Sequence, residues 1–181
     1  MRKALVVLIL MVASFGGGWY SRQPKAALES AEPFFSPRGG CTAAVVKELD
    51  NLASGDVLLV QAFSFTSKEI GDAIIKAHKQ GAEIHVLVDK SQRSERSMAD
   101  EVLAAGVELN FDEDHAIAHN KIMVIYRFKR GLPTVITGSF NFTANAEKSN
   151  AENLLIIHSD RLASRYRDNF YAHWRHGKAA K

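Results

Sequence analysis

Cysteine is almost missing: Cys41 is the only one in 181 residues. That excludes an intrachain disulfide framework and any zinc site built on cysteine. Proline is scarce as well, with three of the four residues falling between 21 and 40. No biased tract and no internal repeat occurs, so collagen, coiled coil and solenoid architectures are excluded. Only one long apolar run exists, at the N-terminus, which excludes a polytopic membrane protein. Neither charge sign dominates: 23 basic against 20 acidic residues give a net charge of +3, which permits an anionic partner without requiring one. What is present, 46% hydrophobic and 24% charged residues, is the balance of an ordinary globular domain.

Arg2 and Lys3 precede an apolar run from Ala4 to Phe15, followed by Gly16, Gly17 and Gly18. A short basic stretch before a run of this length has the shape of an export signal. Extended to Tyr20, the run approaches the roughly 20 residues of a membrane anchor. Residues 1–20 are therefore read as a signal peptide or N-terminal anchor, and the chain as exported: periplasmic, secreted or held at a membrane through this segment. Without Arg2 and Lys3 the chain is close to neutral, so any basicity that matters is local. Residues 21–40 read as a linker.

Residues 41–181 read as one catalytic domain. Thr42 to Ser54 has helical spacing, and Val57 to Phe63 is a buried strand. Thr66-Ser67-Lys68-Glu69 is a capping box opening a helix that stops at Gly81. Glu83 to Asp89 is a strand, Ser94 to Ala105 a helix and Val107 to Phe111 a strand. Lys121 to Phe128 and Thr134 to Thr137 form a hairpin, Asn153 to His158 a last strand, and Asp160 to His176 a closing helix. The expected fold is α/β: a mixed, mostly parallel β-sheet flanked by helices on both sides.

His119 and Lys121 share one face of a strand start, since side chains two apart on a strand point the same way. Gly138-Ser139-Phe140-Asn141 ends the next strand, with Ser139 and Asn141 sharing a parity. If the two strand ends are neighbours, an imidazole, an ammonium, a hydroxyl and a carboxamide converge. No carboxylate cluster accompanies them, so a two-metal site of hard oxygen ligands is not expected. The natural guest for such a set is a tetrahedral phosphoryl group, whose oxygens need several donors as charge shifts in the transition state.

His119-x-Lys121 followed by Gly138-Ser139-x-Asn141 resembles the H-x-K-x4-D…G-S-x-N signature of the phospholipase D superfamily. The stretch from Thr137 to Thr143, with Ala146-Glu147-Lys148 and Asn150 to Asn153, is similar to its small bacterial endonuclease branch. One position departs from the signature: Tyr126 stands where the motif has aspartate. The resemblance implies that His119 attacks phosphorus to form a phosphohistidine which water then releases. It implies that Lys121, Ser139 and Asn141 bind the non-bridging oxygens, and that Glu152 hydrogen-bonds His119. No metal and no cofactor are required. One motif copy supplies one histidine, whereas in-line displacement needs an acid opposite the nucleophile, so a homodimer joined through its active-site face is expected.

Arg127, Lys129 and Arg130 form the densest basic run and read as a phosphate-backbone contact beside the site. The function expected is a metal-independent, sequence-nonspecific endonuclease acting on DNA, with RNA as a further substrate. The alternatives are a phospholipase cleaving headgroups and a catalytically impaired nucleic-acid-binding member. His115 and His119 are not expected to hold zinc, because their segment reads as loop into strand. His78, His85 and His158 read as structural or solvated. His173 and His176 sit at a helix C-terminus, where a cationic ring is favoured anyway.

Overall fold

Three apolar runs fill the middle of the sheet. Val57–Ala62 (β2), Glu83–Asp89 (β3) and Lys121–Tyr126 (β5) are buried along most of their length because both of their faces are covered. The computed structural model describes residues 29–128 and 130–180, so the segment read as a signal peptide or anchor lies outside the described residues, as does Lys129. The other elements are β1 (Ser30–Ser36), α1 (Cys41–Asp50), α2 (Lys68–Lys79), α3 (Ala99–Ala104) and β4 (Glu108–Asp112). After β5 come β6 (Thr134–Gly138), α4 (Ala144–Lys148), β7 (Glu152–His158), α5 (Asp160–Trp174) and β8 (Lys178–Ala179).

The strands make one eight-stranded sheet in the order β1-β7-β6-β5-β2-β3-β4-β8. The mixed α/β fold with flanking helices is as expected, but the parallel share is smaller. Only β2–β3 and β3–β4 are parallel, and five of the seven pairings are antiparallel. Parallel pairing needs a long crossover, and α2 and α3 supply the two that serve it; β5 and β6 join as a hairpin through the longer loop 127–133. Alternate residues of β2 divide the core. Leu58, Val60 and Ala62 pack with α1, α2 and α3, while Leu59 packs beneath α5 against Phe170.

Several boundaries differ from the sequence reading. The stretch taken as a linker contains β1, which pairs antiparallel with β7 along its full length. Pro33 has no N–H to give, which the edge of a sheet tolerates. The cap of α2 is Ser67, not Thr66: the Ser67 hydroxyl accepts from the Ile70 N–H and donates to Glu69. Thr66 is held one residue earlier, where its N–H donates to the Phe142 carbonyl. α3 starts five residues late because the segment before it fixes Phe65. Gln92 Oε1 accepts from the Phe65 N–H, and the Met98 N–H donates to the Phe65 carbonyl. At α1 a carboxylate replaces the missing side-chain cap. Glu147 of α4 accepts from the N–H groups of Gly40 and Thr42, at 3.0 and 2.7 Å.

Candidate active site

Strand register carries the sequence motifs to one end of the sheet. Lys121 opens β5 opposite Ala62, the last residue of β2. Thr137, just before the end of β6, lies opposite Ile122, and Gly138 lies opposite Leu154 near the start of β7. Glu152 pairs with Ser36 at the end of β1. His119, Lys121, Ser139 and Glu152 therefore gather where these strands begin or end, and the chain carries Asn141 on from there.

His119 is exposed, its ring 4.5 Å from that of Phe63 and tilted to it by 49°. Lys121 is buried, and its Nζ donates to the His119 carbonyl at 2.8 Å and lies 4.8 Å over the Phe63 ring. Burial lowers the Lys121 pKa, and the charge of Glu152 opposes that shift. Ser139 Oγ accepts from the backbone and side-chain N–H groups of Asn153, at 3.1 and 3.3 Å, which leaves its own proton free to donate outward. Asn141 Oδ1 is buried without a partner. The expected hydrogen bond from Glu152 to His119 does not form. β6 stands between their strands, and Glu152 Oε1 accepts from Asn150 instead.

Gly138 makes the turn into Ser139 feasible. Its φ is +152°, and a Cβ there would stand 2.3 Å from the Asn153 carbonyl oxygen, which accepts from the Ser139 and Phe140 N–H groups. Gly138→Ala should lower stability by about 1–3 kcal/mol and displace Ser139. Thermal unfolding with turnover checks this; unchanged values for both would refute it.

The approach to His119 is held by Asp89. This buried carboxylate accepts from the N–H groups of Ala118 and Ser91, at 2.8 and 2.9 Å. Burial works against its ionised form, and the hydrogen bonds from Ser91 and Ala118 outweigh burial and lower its pKa. Beside His119 lies a groove of about 470 Å³, lined by Asn120, Thr137, Arg165, Tyr166 and Asn169 among others. Arg165 makes no ion pair among the described residues. Neither Asp89 nor Arg165 was found from sequence. A strand-final aspartate was the only signal for the first, and Arg165 is one of several arginines on a polar helix.

The basic turn lies away from His119. Arg127 and Arg130 follow Tyr126, which pairs with Val57 at the opposite end of β5 from Lys121, about 17 Å away at the usual rise per strand residue. Arg127 is buried against Glu48, whose carboxylate it meets at 2.8 Å, and also donates to Thr134 Oγ1. Arg130 pairs with the buried carboxylate of Asp56. Both ion pairs tie the turn to the fold at the end of β5 away from Lys121. Arg127→Ala should cost roughly 3 kcal/mol, because it removes charge-assisted hydrogen bonds to a half-buried Glu48 and to Thr134. The melting temperature would fall by roughly 6–12 °C while substrate affinity in the folded protein stays put; the reverse pattern would reinstate the sequence reading. Tyr126, the position departing from the motif, lies at that same far end, with its hydroxyl buried and its ring stacked on Phe128.

Residues 48–174 match the family model described as "Cardiolipin synthase, PLD-like domain". A phospholipase D of Rickettsia typhi is 33% identical over 150 residues, covering 82% of this chain and 70% of that one. The chain spans 64 to 70% of the length of the rickettsial relatives it matches. The human mitochondrial cardiolipin hydrolase is 27% identical over 113 residues, covering 62% of this chain and 43% of that protein. Among solved structures, the phospholipase D family member Nuc from Salmonella typhimurium superposes with a TM-score of 0.76 at 27% identity. That match covers 84% of this chain and 99% of Nuc.

Proposed function

The chain belongs to the phospholipase D superfamily and is a phosphodiester hydrolase of that family, and from that premise we propose that it is a metal-independent, sequence-nonspecific nuclease acting on DNA, and on RNA as a further substrate. The observation that carries this reading is the groove beside His119, open and lined by Arg165, Asn120, Thr137 and Asn169. Cationic and amide donors along an open channel suit a polyanionic backbone and carry no sequence information. The near-complete coverage of Nuc supports the same reading.

In the proposed reaction an imidazole nitrogen of His119 attacks phosphorus, and the bond from phosphorus to the leaving oxygen breaks. A proton from the acid opposite goes to that oxygen. Water then attacks the phosphohistidine, gives its proton back to the same group, and His119 leaves. Lys121, the Ser139 hydroxyl and the Asn141 amide hold the non-bridging oxygens as charge builds on them.

The acid is His119 of the partner subunit, in a homodimer built on this face. The chain has seven histidines, and the other six lie against other groups. His115, His173 and His176 face Asp112, His85 pairs with Glu83 and Glu108, His158 meets Thr134, and His78 lies on α2 beside Gly106. Phe35 and Ile117, two large apolar side chains left exposed, lie at the site end of the sheet, where a second copy would cover them. Residues 1–20 act in this reading as an export signal or anchor, which N-terminal sequencing of the mature protein tests.

The second reading, a phospholipid headgroup as substrate, has one specific support: the rickettsial relatives at 33–36% identity are named phospholipase D. Plasmid and single-strand cleavage beside headgroup release from phospholipid vesicles, all in chelator, separate the two. We expect DNA cutting to dominate. Headgroup release without DNA cutting would overturn the nuclease reading. Within it, Arg165→Ala should weaken DNA binding uniformly across sequences and reduce the salt slope by about 1. An unchanged slope would remove Arg165 from the interface.

A further inference from the structure

Three of the histidines that the reaction leaves out converge at the same end of the sheet as His119, on its β4 side. Asp112 ends β4 and His115 follows it in the loop. His173 lies in the last turn of α5, and His176 just beyond it. One ligand-capable atom from each of these four residues lies within 4.8 Å of the other three. The Asp112 carboxylate is 2% exposed, and imidazole surrounds it. His115 Nδ1 is 3.0 Å from both of its oxygens, while His173 Nδ1 and His176 Nδ1 each stand 3.8 Å from one.

We propose that Asp112, His115, His173 and His176 form a structural zinc site. The site comprises three imidazoles and one carboxylate, a complete tetrahedral set of the donor types zinc prefers. Two donors on a tetrahedral zinc, with bonds of about 2.0–2.1 Å, are about 3.4 Å apart. The separations of 3.0 and 3.8 Å to Asp112 straddle that value.

An ionic cluster is the competing account, in which protonated rings hold the carboxylate. It would draw all three rings into hydrogen-bonding range, where only His115 stands. Instead Nδ1 of His173 and of His176 are buried with no hydrogen-bond partner. Buried ring nitrogens gathered within 4.8 Å of one another and of the carboxylate, yet without a hydrogen-bond partner, are what an ion between them would satisfy. The cations on neighbouring residues do not neutralise Asp112: Arg93 and Lys178 both pair with Glu113. Asp114, 3.5 Å from His176 Nδ1, adds a second negative charge at the rim.

The ion would join parts of the chain that otherwise meet weakly. Asp112 and His115 begin the loop that runs to His119, and Lys90 Nζ already donates to the His115 carbonyl. α5 supplies Arg165, Tyr166 and Asn169 to the groove. Zinc would clamp the His119 segment to the helix that forms the opposite wall, and would hold the two-residue β8 on β4. Its role is to fix the groove, and the reaction proposed above does not pass through it.

The test uses the untagged full-length chain. Metal analysis after gel filtration should find one zinc per chain, and cobalt in its place should give the intense visible absorption of a tetrahedral site. Stripping the metal should lower the melting temperature by roughly 10 °C, the scale expected when zinc stands about 1,000-fold above its Kd. His115→Ala, on an exposed loop, keeps the fold testable; with His173→Ala it should weaken zinc binding by about 100-fold or more with the circular dichroism spectrum retained. His119→Ala should bind zinc as the wild type does, which separates a failure of this site from a failure of the nuclease reading. A folded wild type that retains no zinc and melts at the same temperature with and without it would overturn the proposal. So would variants that bind as tightly as the wild type.

Discussion

His119→Ala should remove turnover by a factor of roughly 10⁴ or more, the scale seen when a covalent nucleophile is deleted. Stability should stay within about 0.5 kcal/mol, because the imidazole is exposed and its main contact is the face of Phe63. The variant should still bind DNA, since the groove residues remain. Single-turnover cleavage beside a melting curve checks both halves. Residual turnover near the wild-type rate would remove His119 from the chemistry. A lost melting transition would make it a structural residue.

The second large effect is at Lys121. Lys121→Ala should lower kcat by about 10²–10³, the usual consequence of deleting one positioned donor to a developing oxyanion. The side chain is nevertheless badly placed for stability. Its ammonium is buried, its hydrogen bond goes to a carbonyl, and it makes no ion pair among the described residues. The sign follows from linkage. Burial holds the folded pKa below the unfolded value of about 10.4, so the unfolded chain binds more protons in that window and stability rises with pH through it. Below the window the charged group costs stability. Lys121→Met should therefore melt higher than the wild type while losing activity. On the alkaline side the wild-type rate should fall before pH 10.4, as the ammonium loses its proton. Lys121→Arg, whose guanidinium does not deprotonate, should lose that limb. A wild-type rate that is flat to pH 10.4, or a Lys121→Met that melts lower, would contradict this account.

The parts of the molecule legible in the sequence are those governed by local rules. β2, β3 and the β5–β6 hairpin follow from apolar runs and the Gly- and Pro-bearing loop between β5 and β6. The convergence of His119, Lys121, Gly138 and Ser139 follows from two strand ends being neighbours. What was not legible depends on partners distant in sequence. β1 has the composition of a linker and becomes a strand only because β7 offers it an edge. Arg127 and Arg130 look like a phosphate-binding run, and the hairpin carries them to Glu48 and Asp56 at the wrong end of the sheet. Tyr126 occupies the motif's aspartate slot, and that slot lies a full strand length from His119. Asp112-x2-His115 and His173-x2-His176 are unremarkable alone. They become a four-residue cluster because α5 and β8 bring the end of the chain back to β4.

Evolutionary kinship and a groove leave one chemical claim to settle, that hydrolysis proceeds in two displacements through His119. The most direct measurement is the stereochemical course at phosphorus, read from a chiral phosphorothioate diester cleaved in isotopically labelled water. Two in-line displacements each invert, so the account predicts net retention. Net inversion would mean that water attacks the diester directly, and the phosphohistidine mechanism would be wrong.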